Sequence, residues 1–149
     1  PFVSLAMFLR KKITGKLLII YIPAQILGCL LGVMLANVFF EHNILELSTK
    51  NRDGFHIFLS EIIATFGLIF IIFATLKDGK ITIAASVATY IMAGYWFTSS
   101  TSFANPAVAI ARTFTDSFTG INYLNTPTYI LAEFLGALIA VFLIKKLIK

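Results

Sequence analysis

The stretch that decides the fold is Thr98–Arg112, TSSTSFANPAVAIAR. From Thr98 to Asn105 every residue except Phe103 is small or polar. Pro106 then opens what reads as a short helix. Proline suits a first helical position, because its missing N–H would be unpaired there anyway. Asn105 before it is a good N-cap residue. The stretch is too polar to face lipid and too short to be a domain, yet long apolar segments flank it.

Those flanks define the solvent. The chain has 149 residues, 58% hydrophobic and 13% charged, with a mean hydropathy of +0.90. A soluble domain carries about 25% charged residues. Half that density, joined to long apolar runs, points to lipid and to one domain over residues 1–149. The net charge of +5 is not a nucleic-acid signature, because the basic residues fall in short segments between apolar runs. Cys29, the single cysteine, lies within an apolar run and reads as a small packing residue. The chain opens at Pro1 with no initiator methionine and no signal-peptide pattern, so a piece of a longer protein is expected.

A bilayer crossing takes about 20 apolar residues. Leu17–Phe40, Ile57–Leu76, Ile81–Ser99 and Thr128–Leu147 meet that length. Pro1–Leu9 and Pro106–Phe114 are half as long. If all four segments cross, Arg10, Lys11, Lys12, Lys16, Lys77, Lys80, Lys145, Lys146 and Lys149 share one side. Lys50, Arg52 and Arg112 share the other, offset by Glu41, Glu46, Asp53 and Asp116. The positive-inside rule then makes the first side, with the carboxyl terminus, cytoplasmic. Thr98–Val108 enters from the outer side.

An internal repeat supports this layout. PFVSLA at Pro1–Ala6 parallels PAVAIA at Pro106–Ala111, and YIPAQILGCLLG at Tyr21–Gly32 parallels YILAEFLGALIA at Tyr129–Ala140. Ala24, Gly28 and Gly32 correspond to Ala132, Gly136 and Ala140. Small residues every fourth position let helices approach closely in lipid. One copy starts inside and the other outside, so the repeat is inverted, a transporter and channel design.

SFANPAVAIAR, with SEIIATFGLIF before it, resembles the second half of an aquaporin of the major intrinsic protein family. PFVSLAMFLRKK resembles the region after the asparagine of that family's first Asn-Pro-Ala motif. The resemblance covers essentially the whole chain. It implies an all-α membrane protein, an aquaporin-like helical bundle with an inverted repeat. Here that means four transmembrane helices and two re-entrant half-helices, the first two spans being absent. Pro1 and Phe2 then stand in the first motif, with Phe2 where alanine is usual, a change expected to reshape that side of the midplane. Asn105, Pro106 and Ala107 form the second motif, and the Asn105 amide is a donor for a lumen. Paired half-helix N-termini carry partial positive charge, the expected barrier to ions.

The resemblance also points to a filter. The family's filter arginine follows the motif directly, and this chain has Val108 there. Arg112 comes one turn later, and either lines an outer vestibule or pairs with its i+4 neighbour Asp116. The filter position on the third span falls near Ala93 and Gly94, where water-selective members carry histidine. Small residues at these positions imply a wider, less polar filter. Glu61 matches the family's buried glutamate that braces a re-entrant loop. A carboxylate inside a span is a functional or structural-polar candidate on physical grounds alone. Glu133, whose repeat partner is Gln25, could serve a contact within the bundle or one between subunits.

Tyr95, Trp96 and Phe97 read as aromatics at a membrane interface or lining a vestibule, with interface anchoring the simpler choice. His42 and His56 lack metal-ligand spacing. No nucleophile–base pair or phosphate loop is seen, and neither an enzyme, a cofactor, a metal nor a nucleic-acid partner is expected. The expected function is passive passage of water and small uncharged solutes, such as glycerol and neutral metalloid acids, through a homotetramer in the cell membrane. The alternatives are a secondary transporter with inverted repeats, which needs ionisable residues converging at the midplane, and a nonconducting structural fragment.

Overall fold

The computed structural model describes residues 1–147. Lys149, counted in the basic carboxyl-terminal cluster, lies outside the described residues. The order of elements is α1 (Phe2–Leu9), α2 (Gly15–Phe39), α3 (Phe55–Ala74), α4 (Lys80–Phe97), α5 (Pro106–Ala111), a 3-10 turn (Arg112–Phe114) and α6 (Thr126–Leu147). Each expected span and each half-helix is present as a helix. Three of them, α2, α3 and α6, are long and apolar enough to cross a membrane. The 18-residue α4 falls outside that group, since it carries Lys80, Thr82, Ser86 and Thr89 within an otherwise apolar run.

Helix boundaries follow local chemistry. The Thr14 side chain accepts the Leu17 amide at 3.3 Å and so caps α2. Gly54 (φ 108°) and Gly79 (φ 92°) sit at the N-caps of α3 and α4, in a backbone region that suits glycine. Asn105 caps α5, its Oδ1 accepting the Ala107 amide at 3.0 Å.

The core is the α3–α6 pair. On α3 the buried face runs through Ile57, Glu61, Ala64, Thr65, Leu68, Ile69, Ile72 and Phe73. On α6 it runs through Tyr129, Ala132, Glu133, Gly136, Ala137, Ala140 and Ile144. The small-residue stripe is what lets the axes come close. A Cβ on Gly136 would strike the Ile62 carbonyl of α3. Ala6 of α1 joins this core with Ile69, Phe73, Ala137, Ala140 and Ile144. The matching stripe on α2 behaves differently: Cβ atoms added at Gly28 and Gly32 meet nothing within 4 Å.

Helix α4 docks on α3 through Val87 and Tyr90. The Tyr90 hydroxyl donates to the Ile63 and Ala64 carbonyls at 3.2 and 3.1 Å, over Gly67, which leaves room for it. The polar loops at this end of the bundle are laced together. Asp116 accepts the Thr49 amide at 2.8 Å and the Thr49 hydroxyl at 3.1 Å. The Thr49 amide holds this carboxyl below the usual carboxylate range. Asn37 donates to the Phe114 carbonyl at 3.0 Å, and Asn125 accepts the Arg52 amide at 3.0 Å.

If the α3–α6 approach depends on Gly136, then Gly136→Val should lower stability by about 1–3 kcal/mol, the usual cost of overpacking. Thermal melting of the full-length protein in detergent reads this, and an unchanged melting curve would contradict the contact.

Candidate functional site

Residues 98–105 leave α4 and reach Pro106 without regular secondary structure. Thr98 holds the start, its hydroxyl donating to the Gly94 carbonyl at 2.6 Å. Ser99 meets Ser60 of α3, hydroxyl to hydroxyl, at 2.9 Å. The chain then turns sharply: Thr101 (φ 64°), Ser102 (φ 52°) and Ala104 (φ 49°) are all left-handed. Each such non-glycine residue costs about 1–2 kcal/mol. Irregular backbone this deep also leaves amides with no helical partner, and a buried amide left unpaired costs about 1–3 kcal/mol.

Two carboxyl groups meet that demand. Glu61 on α3, fully buried, accepts the Phe103 amide through Oε1 at 2.9 Å and the Ala104 amide through Oε2 at 2.8 Å. Glu133 on α6, also fully buried, accepts the next amide, that of Asn105, at 3.0 Å. Three consecutive amides therefore end on two side chains from the two core helices. Glu133 thus serves a contact within the bundle. Its repeat partner has the same kind of task, because Gln25 Nε2 donates to the Ser4 hydroxyl of half-helix α1 at 2.8 Å.

The braced loop faces a cavity of about 190 Å³, whose wall includes Ala104, Asn105, Val108, Ile91, Tyr95 and Arg112. With Asn105 Oδ1 engaged by Ala107, its amide nitrogen is left as the donor on that wall. Pro106 and Ala107 are buried behind it. Val108 also borders a larger space of about 560 Å³ between α2 and α5, shared with Cys29, Ala36, Arg112 and Phe118.

Other expected positions fall elsewhere. Gly94 packs under the loop, where an added Cβ would lie 2.6 Å from Ser102 Oγ, and Ala93 is exposed. The part of α4 on the cavity wall is Tyr90, Ile91 and Tyr95. Pro1 is buried, and Phe2 turns to α6, its ring 5.7 Å from that of Phe134. Phe2 is therefore not on the wall of this cavity. The Arg112–Asp116 pair is corrected. Asp116 is drawn across to Thr49, while the Arg112 guanidinium lies 4.6 Å from the Phe103 ring centroid and donates to the Thr119 carbonyl at 3.4 Å.

The three aromatics of α4 separate. Tyr95 reaches the cavity, Phe97 packs edge-on to Tyr90 at 5.9 Å, and Trp96 is 88% exposed. His42 meets Glu46, Nδ1 to Oε1, at 2.7 Å. For Tyr95 the sequence left interface and vestibule both open, and the structure places it on the cavity wall. The signal was its i+4 spacing from Ile91, in register with a polar loop that had to be covered.

A sequence model of the major intrinsic protein family matches residues 1–99, two-thirds of the chain and independent of the Asn105 motif. The chain belongs to the major intrinsic protein family. Among curated proteins it is similar to aquaglyceroporin AqpS of Rhizobium meliloti (strain 1021), with 42% identity over 149 residues. That alignment covers all of this chain and 64% of AqpS, so the chain spans under two-thirds of its relative's length. No solved structure matches it significantly. Membership accounts for the apolar helices and for the all-helical membrane architecture.

Because Glu61 uses both oxygens and Glu133 one, Glu61→Gln should destabilise the protein more than Glu133→Gln. The expected loss for Glu61→Gln is about 1–3 kcal/mol, the cost of one buried amide left without an acceptor. Comparative thermal melting checks the order, and equal losses would mean that the two carboxyls do not divide the loop in this way.

Proposed function

We propose that the protein containing these residues is a passive channel for water and small uncharged solutes, including glycerol and neutral metalloid acids. The observation that carries this reading is the cavity at Asn105 and Val108, walled by a loop whose amides are satisfied from behind. Bracing on the core side leaves the loop's other face free for a lumen, and irregular backbone at membrane depth is tolerated where it is buried in protein or lines such a water-filled cavity. The similarity to a protein named an aquaglyceroporin supports glycerol as a solute.

In this reading Asn105, Pro106 and Ala107, with Pro1 at the head of the other half-helix, form the midplane, where half-helix dipoles oppose cations. Residues 1–149 belong to a single channel domain and work as a homotetramer in the plasma membrane, with the carboxyl terminus in the cytoplasm. Transport needs no chemical step. A secondary transporter needs ionisable groups free to couple to an ion. Glu61 and Glu133, the two carboxyls of the core, are instead committed to loop amides. That commitment favours the passive reading.

Val108 is small and apolar where a bulky donor would narrow the cavity. Val108→Arg should therefore suppress glycerol-sized solutes more than water. Proteoliposome swelling in osmotic gradients of each solute, with no proton or sodium gradient, measures both fluxes. If both stay unchanged, Val108 does not line the path. If the unmodified full-length protein passes neither, the channel reading fails.

A further inference from the structure

The two braces of the loop leave one oxygen atom over. Glu61 is fully buried and engages both of its oxygens, Oε1 with the Phe103 amide and Oε2 with the Ala104 amide. Glu133 is buried as deeply but engages only Oε1, with the Asn105 amide. Its Oε2 is buried and has no hydrogen-bond partner among the described residues. Ala104 and Asn105 are neighbours in the chain, so the two carboxyl groups end close together. They are within electrostatic reach of each other.

Two carboxylates at this depth do not both stay ionised unless a cation joins them. The surrounding charged and titratable groups provide no such cation. Arg112 of the 3-10 turn is within electrostatic reach of Glu61, and Arg52 of the preceding loop shares the Phe103 ring with it. Neither forms an ion pair with Glu61 or Glu133; the ion pair seen among the described residues is His42 with Glu46. Tyr129 of α6 and Tyr90 of α4 are also within reach of Glu61, and neither carries a positive charge. The Pro1 amine at the head of α1 reaches Glu133, and it is charged only where no residue precedes it.

The inverted repeat points to the same atom. Glu133 takes the place that Gln25 holds in the other copy, and Gln25 works there as a donor, from Nε2 to the Ser4 hydroxyl. A protonated glutamic acid has the pattern of glutamine, one carbonyl acceptor beside one donor. An ionised one accepts only.

We propose that Glu133 is a positioning residue that acts in its protonated form: its carbonyl oxygen Oε1 accepts the Asn105 amide, its Oε2–H donates to the carboxylate of Glu61, and one proton thereby joins the two braces of the loop. Glu61 has room for this bond, because each carboxylate oxygen keeps a second lone pair after accepting an amide. The core then buries one negative charge instead of two, and all three loop amides keep their acceptors. The unfolded chain gives this proton up near neutral pH. The native state therefore binds one proton more, and stability falls as pH rises and the proton leaves to solvent.

Infrared spectroscopy of the full-length protein in lipid reads the proton directly. The difference spectrum of wild type minus Glu133→Gln should show the carbonyl band of a protonated carboxylic acid, shifted in D2O. Glu133→Gln, the neutral isostere, should fold and should protect the Asn105 amide from hydrogen exchange as wild type does. It should also lose less melting temperature than wild type on alkalinisation. Glu133→Ala removes the acceptor and should speed exchange at Asn105 roughly tenfold or more, as expected for one buried bond lost. The proposal is overturned by a difference spectrum without that band, by a Glu133→Gln protein that exchanges like Glu133→Ala, or by one that does not fold. Solute flux enters none of these readings, so they stand apart from the channel reading.

Discussion

Everything at the centre of this molecule depends on three backbone amides reaching two buried carboxyl groups. Phe103, Ala104 and Asn105 have no helical acceptors, and no water-rich surface lies behind them. In a bilayer such groups must be satisfied within the protein. Glu61 and Glu133 satisfy them from α3 and α6, the two helices that pack most closely. The small residues of α6 are thus tied to the loop. Without Gly136 the helices would stand further apart, and the two carboxyls could not converge on successive amides.

The inverted repeat gives the same logic a second expression. In each copy the long helix following a half-helix sends one polar side chain back to it: Gln25 to Ser4, and Glu133 to Asn105. The copies differ in what they meet. The α6 stripe presses on α3, whereas the α2 stripe at Gly28 and Gly32 faces open space. The repeat is therefore conserved in the attachment of half-helices more visibly than in the packing around them.

Much of this was legible in the chain. Apolar run length marked α2, α3 and α6 to within a few residues, because lipid imposes length directly. It marked α4 as well, although polar residues make that helix the least apolar of the four. Glu61 stood out because a carboxylate in an apolar run needs a reason. The role of Glu133 was not legible: its partner is a backbone amide 28 residues away, and amides carry no residue signature. Nor was the direction of Arg112. The sequence left it between a vestibule and Asp116, and what decides is Thr49, distant in sequence, which takes that carboxyl through its amide and hydroxyl. The contact of the Phe2 ring with Phe134 was not legible either, because it joins residues at opposite ends of the chain.

The most direct measurement is hydrogen exchange at the amides of Phe103, Ala104 and Asn105 in the full-length protein in lipid. Bonds to buried carboxyls predict that these amides exchange as slowly as the core of α3, despite lying in a segment without secondary structure. They also predict that Glu61→Ala accelerates Phe103 and Ala104 together and Asn105 less. Exchange at these three amides as fast as in the exposed outer loops of the unmodified protein would contradict the account, because the wall on which the cavity depends would not be held.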